Sequence, residues 1–171
     1  MVKIIGFVII LMSCSKIGVD VSNKYRYRTK ELRSLITAFE LMKNEIGFKN
    51  SVVADVLNTS SSVSSPTVKK MFTSVAYDVK GENFTAEQAF DRFILKNRGF
   101  LSLNNEDLDV LKKFFSKFGS YSAQDELDGI DAAVKIFDAN LKNAEADEKR
   151  YVKLSAASGV LSGFLIGMLL I

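Results

Sequence analysis

Two groups of carboxylates are the side chains in this sequence whose type and spacing could do chemistry. The first group is Glu106, Asp107 and Asp109, and the second is Asp125, Glu126, Asp128 and Asp131. Paired carboxylates can hold a divalent cation or act as an acid and a base. Neither group has EF-hand spacing, and both fall where a helix is expected to begin, where the helix dipole favours negative charge. We therefore interpret them as helix starts. The alternative interpretation is a partner-binding surface made of Glu106, Asp107, Asp125, Glu126 and Asp128.

The composition removes most catalytic arrangements. The chain has no histidine and one cysteine, Cys14. Without histidine there is no Ser-His-Asp triad, no thiol–imidazole pair and no usual zinc site. The net charge is only +3, and no basic run is interleaved with aromatic residues, so nucleic-acid binding is not expected. We predict no catalytic residue, no metal site, no cofactor and no enzymatic activity.

The C-terminal end is an apolar segment of membrane-spanning length. Residues 154–171 contain no charge and no proline. As a helix they span about 27 Å, close to the ~30 Å hydrocarbon core of a bilayer, so we predict a transmembrane helix. Small residues recur at every fourth position, at Ser155, Gly159, Gly163 and Gly167. This spacing predicts a face on which another helix packs closely, although glycine is common in membrane helices in general.

The N-terminal apolar segment is shorter and allows more than one interpretation. Residues 4–14 are almost entirely apolar, and Lys16 follows them. A helix can span the membrane here if it extends past Lys16 and this side chain snorkels. We predict a membrane segment over residues 1–23. The alternatives are a cleaved secretory signal, or a lipoprotein signal in which residues 11–14 form a loose lipobox and Cys14 is lipidated.

Basic residues flank the region between the two apolar ends. They are Lys24, Arg26, Arg28, Lys30 and Arg33 on the N-terminal side, and Lys149, Arg150 and Lys153 on the C-terminal side. Positive charge favours the cytoplasmic side of a membrane, and anionic headgroups attract it. We therefore predict that residues 24–153 form a cytoplasmic domain, that both termini face outward, and that these basic residues lie at the lipid interface.

The central region carries a helical pattern throughout. The first apolar stripe steps by three and four residues through Leu32, Leu35, Phe39, Met42 and Ile46. A serine-rich stretch at residues 60–65 predicts a linker. Later helices are predicted to begin at Pro66 and after Thr85, Asn104 and Ser122. The sequence predicts an all-α fold: a compact bundle of about six helices, flanked by N- and C-terminal transmembrane helices.

Several stretches spread over nearly the whole chain share the pattern of one known family. They are residues 41–46 (Leu-Met-Lys-Asn-Glu-Ile), residues 86–93, residues 103–119 with Glu106-Asp107-Leu108 and Phe118-Gly119, then Gln124 and Ile130, and residues 148–151 ahead of Gly159 and Gly163. The layout resembles stage III sporulation protein AB of endospore-forming bacteria. The chain departs from the family where Ser51-Val52 replaces a frequent Pro-Leu, where Phe90 replaces a frequent Trp, and where Phe118 replaces a usual Leu; all keep the fold expectation intact.

The resemblance implies a role in an assembly. It implies membership of the membrane complex between mother cell and forespore, which resembles secretion systems. The soluble domain is similar to the helical domains of the type II secretion inner-membrane platform protein. The implied partners are a cytoplasmic secretion-type ATPase and other membrane subunits of the complex. The apolar ends and basic flanks make membrane lipid a further expected partner, and the composition leads us to expect no nucleic acid. The implied location is the mother-cell membrane facing the forespore. The alternative function is a surface lipoprotein whose helical domain binds a ligand or partner.

Overall fold

The computed structural model describes residues 2–49, 53–81, 84–119 and 122–170, and these ranges contain six α-helices, one 3₁₀ helix and no strand. The helices are α1 (Val2–Lys49), α2 (Val53–Ser61), α3 (Pro66–Gly81), α4 (Ala86–Asn97), α5 (Asn105–Phe115) and α6 (Ala123–Leu170), with the 3₁₀ helix Arg98–Phe100 after α4. The predicted all-α fold is confirmed. The first and last helices, each of 48 residues, continue from an apolar end of the chain into the central region without a break.

Contacts divide the chain into two compact units. The first unit is Met1–Thr29 with Asn143–Ile171, and the second unit is Lys30–Lys142. The helices α1 and α6 therefore contribute residues to both. The predicted domain boundaries, after residues 23 and 153, fall inside these two helices and stay a prediction.

A phenylalanine-rich core holds the second unit together. The predicted stripe is buried, with Leu32, Leu35, Phe39 and Met42 at 0% exposure and Ile46 at 6%. The ring centroid of Phe39 lies 4.6 Å from that of Phe114 and 5.5 Å from that of Phe137. Phe90 stacks on Phe115 at 4.8 Å. Because aromatic pairs add about 0.5–1.5 kcal/mol each beyond the area they bury, these contacts tie α1, α4, α5 and α6 together.

Two of the predicted helix starts carry complete capping boxes. Thr85 Oγ accepts the N–H of Gln88, and Gln88 Oε1 accepts the N–H of Thr85. Asn104 and Asp107 make the same reciprocal pair at the start of α5. A side-chain cap of this kind stabilises a helix by about 1 kcal/mol. These two local predictions are confirmed.

The serine-rich stretch differs from its prediction as a linker. Helix α2 extends through Ser60 and Ser61, and both side chains are buried. Ser60 Oγ donates to the carbonyl oxygen of Val56 at 2.8 Å, so its hydroxyl is satisfied within the helix. Residues 62–65 remain as the connection to α3, which begins at Pro66 as predicted.

Candidate functional site

Glycines bring α1 and α6 into backbone contact within the first unit. A Cβ atom added at Gly159 would lie 2.8 Å from the carbonyl oxygen of Cys14 and 3.0 Å from the Cα of Gly18. A Cβ at Gly18 would lie 2.6 Å from the carbonyl oxygen of Ser155. These neighbouring atoms belong to the backbone and cannot rotate away. Glycine at both positions is therefore what lets the two helices approach this closely.

The predicted small-residue face of α6 lies partly in this contact. Gly163 also faces α1, because a Cβ there would lie 3.2 Å from the Cα of Leu11. The surroundings of Gly167 lie outside the described side chains. The α1 side was missed in the sequence analysis. Its signal was available, since Cys14, Gly18 and Ser22 are small residues spaced by four.

The same helix pair continues into polar and aromatic contacts. Ser22 Oγ donates to the carbonyl oxygen of Val152 at 2.9 Å. Tyr25 stacks on Tyr151 with ring centroids 5.2 Å apart. Along the contact, residue numbers increase on α1 while they decrease on α6, so the two segments run antiparallel.

The outward side of this helix pair is apolar. In the predicted membrane segments, the exposed large apolar residues are Val8, Ile9, Met12, Ile17, Val19 and Val21 on α1, and Leu154, Val160, Leu161, Phe164, Leu165, Ile166 and Met168 on α6. Among the described residues, one helix, Gly6–Gly47, contains an 18-residue stretch apolar enough to cross a membrane, and only 11% of that stretch is buried. A core helix of a soluble domain is mostly buried, so this exposed surface indicates membrane association.

The predicted interface residues lie in both units. In the first unit they are Lys24, Arg26, Arg28, Lys149, Arg150 and Lys153, all exposed except Arg28, which is partly buried. In the second unit they are Lys30 and Arg33, both exposed. The stack of Tyr25 on Tyr151 brings the two basic groups of the first unit to the same end of its helix pair. The Arg150 guanidinium lies 5.5 Å from the ring centroid of Tyr151, a mixture of charge and aromatic surface that suits a membrane interface.

The structure corrects the assignment of Asp107 to a surface. Its side chain has 0% exposure. One carboxylate oxygen accepts the N–H of Asn104 at 3.0 Å, and the other accepts the side-chain amide of Asn140 at 2.8 Å. Asp107 therefore joins the start of α5 to α6 inside the second unit, and its carboxylate is not available to a partner.

Glu31 is a second buried carboxylate, which the sequence analysis missed. It is 4% exposed, and Oε2 accepts the N–H of Ser102 at 2.9 Å. Burial raises the pKa of Glu31 to about 7. Hydrogen bonds, of which the one from Ser102 has the largest effect, offset part of this rise, whereas the nearby charge of Asp107 adds to it. The signal in the sequence was its register, since Glu31 precedes Leu35 by four residues and so continues the apolar stripe.

The remaining acidic residues lie at helix starts. Glu106, Asp125 and Asp128 are exposed, and Glu126 is partly buried. Ser122 Oγ donates to Asp125 at 2.6 Å, and Glu126 accepts the N–H of Gly119 at 2.8 Å. Glu106 begins α5, whereas the other three begin α6. No group of three or more His, Cys, Asp or Glu side chains within the described ranges could hold a metal ion.

These features define an all-helical, membrane-associated protein built from a glycine-packed helix pair and a helical bundle. The family model described as stage III sporulation protein AB matches residues 3–171. The stage III sporulation protein AB of Bacillus subtilis (strain 168) is 22% identical over 170 residues, covering 99% of both chains. A solved structure of a stage III sporulation protein AB has the same fold, with a TM-score of 0.65 at 19% identity, covering 72% of this chain and 98% of that one. The chain belongs to the stage III sporulation protein AB family.

Proposed function

We propose that this protein is a non-enzymatic platform subunit of a secretion-like channel complex between mother cell and forespore. The apolar segments of α1 and α6 anchor it in the mother-cell membrane. The central region, residues 24–153, lies in the cytoplasm and docks the secretion-type ATPase of the complex. The observation that carries the proposal is the family match over residues 3–171.

Contacts made ahead of Cys14 support a retained N-terminal helix over a lipoprotein signal. Phe7 packs edge-on against Phe164 with ring centroids 6.1 Å apart. The backbone of Leu11 lies against Gly163. Lipoprotein processing would remove both residues. Mass spectrometry of the mature protein tests this point: we expect an unprocessed N-terminus with Cys14 unmodified, whereas a diacylated N-terminal Cys14 would overturn the platform proposal.

The topology is tested by cysteine accessibility in intact cells. Because Cys14 is the single cysteine, a Cys14→Ser chain gives a clean background. Tyr77 is 70% exposed on α3, so Tyr77→Cys adds a reactive thiol without disturbing the core. The basic flanks lead us to expect that a membrane-impermeant maleimide labels this thiol only after permeabilisation. A cysteine appended after Ile171 is the control and should be labelled from outside. Labelling of Tyr77→Cys in intact cells would contradict the topology.

Docking of the ATPase is tested by co-purification. The tagged full-length chain is solubilised from sporulating cells in several mild detergents, with an unrelated tagged membrane protein as the control. We expect the ATPase of the complex to be retained by this chain alone. If the ATPase is retained in none of the detergents, the proposed docking is wrong, and the membrane topology is then judged by its own test.

A further inference from the structure

A groove of about 650 Å³ lies between α5 and the first turns of α6 in the second unit. Its lining includes the small residues Gly129 and Ala132 of α6, together with Phe114 on α5 and Ile136 on α6. The lining residues of α6 extend from 125 to 136, which is about 16 Å of helix. A groove of this length, with small residues in its lining, fits about three turns of another helix.

The chain's own packing does not account for Gly129. Glycine inside a helix costs about 1 kcal/mol relative to alanine. A Cβ added at Gly129 would meet no atom within 4 Å, in contrast to one at Gly159 in the helix pair. Within the described chain, the missing side chain therefore makes room for nothing. The space above Gly129 is open to a close approach from outside.

The two edges of the groove differ in charge. Asp125 and Asp128 are exposed on the α6 edge. The other edge, called the α5 edge, carries exposed Lys113 on α5 and exposed Lys117 in the turn that follows it, with Asp109 at one end. Charges at the rim of an apolar site orient a partner and reject wrong ones. A helix with basic residues beside α6 and acidic residues beside α5 satisfies both edges. The opposite arrangement places like charges together.

A second copy of the chain offers no such helix. The exposed large apolar residues in the described part of the second unit are Val63, Tyr77, Leu95, Phe100 and Ile136. Ile136 lines the groove itself, and the other four lie on separate elements, so they form no apolar face three turns long. Apart from Tyr27, the exposed large apolar residues in the described part of the first unit belong to the predicted membrane segments. The occupant that fits is therefore a helix of another protein.

We propose that this groove binds an amphipathic helix of a partner protein, with Lys or Arg flanking its apolar face on the α6 side and Asp or Glu on the α5 side. The apolar face packs over Gly129 and Ala132, and the flanks pair with Asp128 and Lys117. This inference rests on the proposed function, because a platform subunit needs a surface on which its partner docks.

The direct test uses a fluorescent helical peptide about 12 residues long, the length that fills the groove. It carries leucines along one face, lysines on one flank and glutamates on the other; a second peptide exchanges the two flanks. Fluorescence anisotropy with the full chain in detergent measures binding. We expect the first peptide to bind at least about tenfold more tightly than the exchanged one. Absence of saturable binding, or equal binding of both peptides, would overturn the proposal.

Gly129→Leu fills the groove and is the decisive variant. Leucine favours helix over glycine, so we expect α6 to stay folded in this variant. The matched control is Ala139→Leu, because Ala139 is also exposed on α6 but does not line the groove. We expect Gly129→Leu to weaken peptide binding at least about tenfold and Ala139→Leu to leave it unchanged. Equal binding by the two variants would place the peptide elsewhere.

Two further readouts separate this inference from its rivals and from the proposed function. Light scattering in detergent that shows a dimer, converted to monomer by Gly129→Leu, would make a second copy the occupant and overturn the proposal. Retention of the ATPase by both the native chain and Gly129→Leu would show that docking occurs, but not in this groove. Failure of the native chain to retain the ATPase would remove the docking function while the peptide result stands independently.

Discussion

At the scale of single residues, burial decides what the two interior carboxylates do. Glu31 on α1 accepts the N–H of Ser102, and Asp107 on α5 accepts the side-chain amide of Asn140 on α6. Both side chains are buried, and an uncompensated charge is costly in a protein interior. Because the pKa of Glu31 is raised to about 7, its carboxyl group keeps its proton to a much higher pH in the folded protein than in the unfolded chain. Its ionisation therefore opposes folding.

Replacing Glu31 with glutamine should remove a pH dependence of stability. The folded pKa of about 7 lies above the ordinary value of 4.5, so between them the folded protein holds a proton that the unfolded chain has released. Stability that is fully present below pH 4.5 is lost as the pH rises through 7, by up to about 3 kcal/mol. E31Q has no titrating group there and should not lose it.

Thermal unfolding of the full chain in detergent, followed by circular dichroism from pH 5 to 8, measures this difference. Glu106→Gln is the matched control, because Glu106 is an exposed acid at the start of α5 and should leave the pH profile of the native chain unchanged. Parallel profiles for the native chain and E31Q would contradict the assigned pKa.

At the scale of elements, the paired segments of α1 and α6 depend on glycine. Gly159→Ala should destabilise the pair, because the added methyl group would lie 2.8 Å from the carbonyl oxygen of Cys14. Overpacking against atoms that cannot move costs about 1–3 kcal/mol. Gly6→Ala on α1 is the matched control, since its Cβ would meet nothing within 4 Å. Hydrogen exchange of residues 7–25 and 151–164, measured in detergent, should rise for the first variant only; equal exchange in the two variants would mean that the helices are not held at this distance.

The helices also show which features of the fold could be predicted from the sequence alone. The stripe from Leu32 to Ile46 and the cap at Thr85 were predictable because both depend on residues three or four positions apart. Family resemblance added the overall arrangement of the helices. The contact of Gly18 with Gly159 joins residues far apart in the chain, and its geometry depends on how two helices pack. For Glu31, the register on the apolar stripe could have predicted burial, but not the hydrogen bond, because its partner Ser102 comes from a distant loop.

The groove at Gly129 also could not be predicted from the sequence. Acidic residues at positions 125, 126 and 128 were recognised as a possible surface, yet nothing local distinguishes them from an ordinary helix start. Only the packing of α5 against α6 leaves a cavity beside them and places Lys113 and Lys117 on its other edge. Asp107 shows the converse, because the same local pattern of acidic residues led to a buried side chain.

At the scale of the whole molecule, each unit carries its own stabilising contacts. The second unit is built around Phe39, whose ring packs against Phe72, Phe114 and Phe137. The first unit relies on close backbone contact between α1 and α6 and on the stacked tyrosines. When separate sets of contacts stabilise separate regions, local unfolding of one region need not open the other. The chain is therefore expected to depart from two-state unfolding.

Hydrogen exchange measured by mass spectrometry on the full chain in detergent tests this separation. Phe39→Ala removes the central ring of the second unit and should cost about 3–5 kcal/mol, because it leaves a cavity. Exchange should therefore rise in α3 and α5, while residues 7–25 and 151–164 keep their protection. Gly159→Ala should produce the reverse pattern. Tyr77→Ala removes an aromatic side chain that is 70% exposed and should change neither unit. A uniform loss of protection with Phe39→Ala would show instead that the continuous helices α1 and α6 couple both units into one cooperative structure.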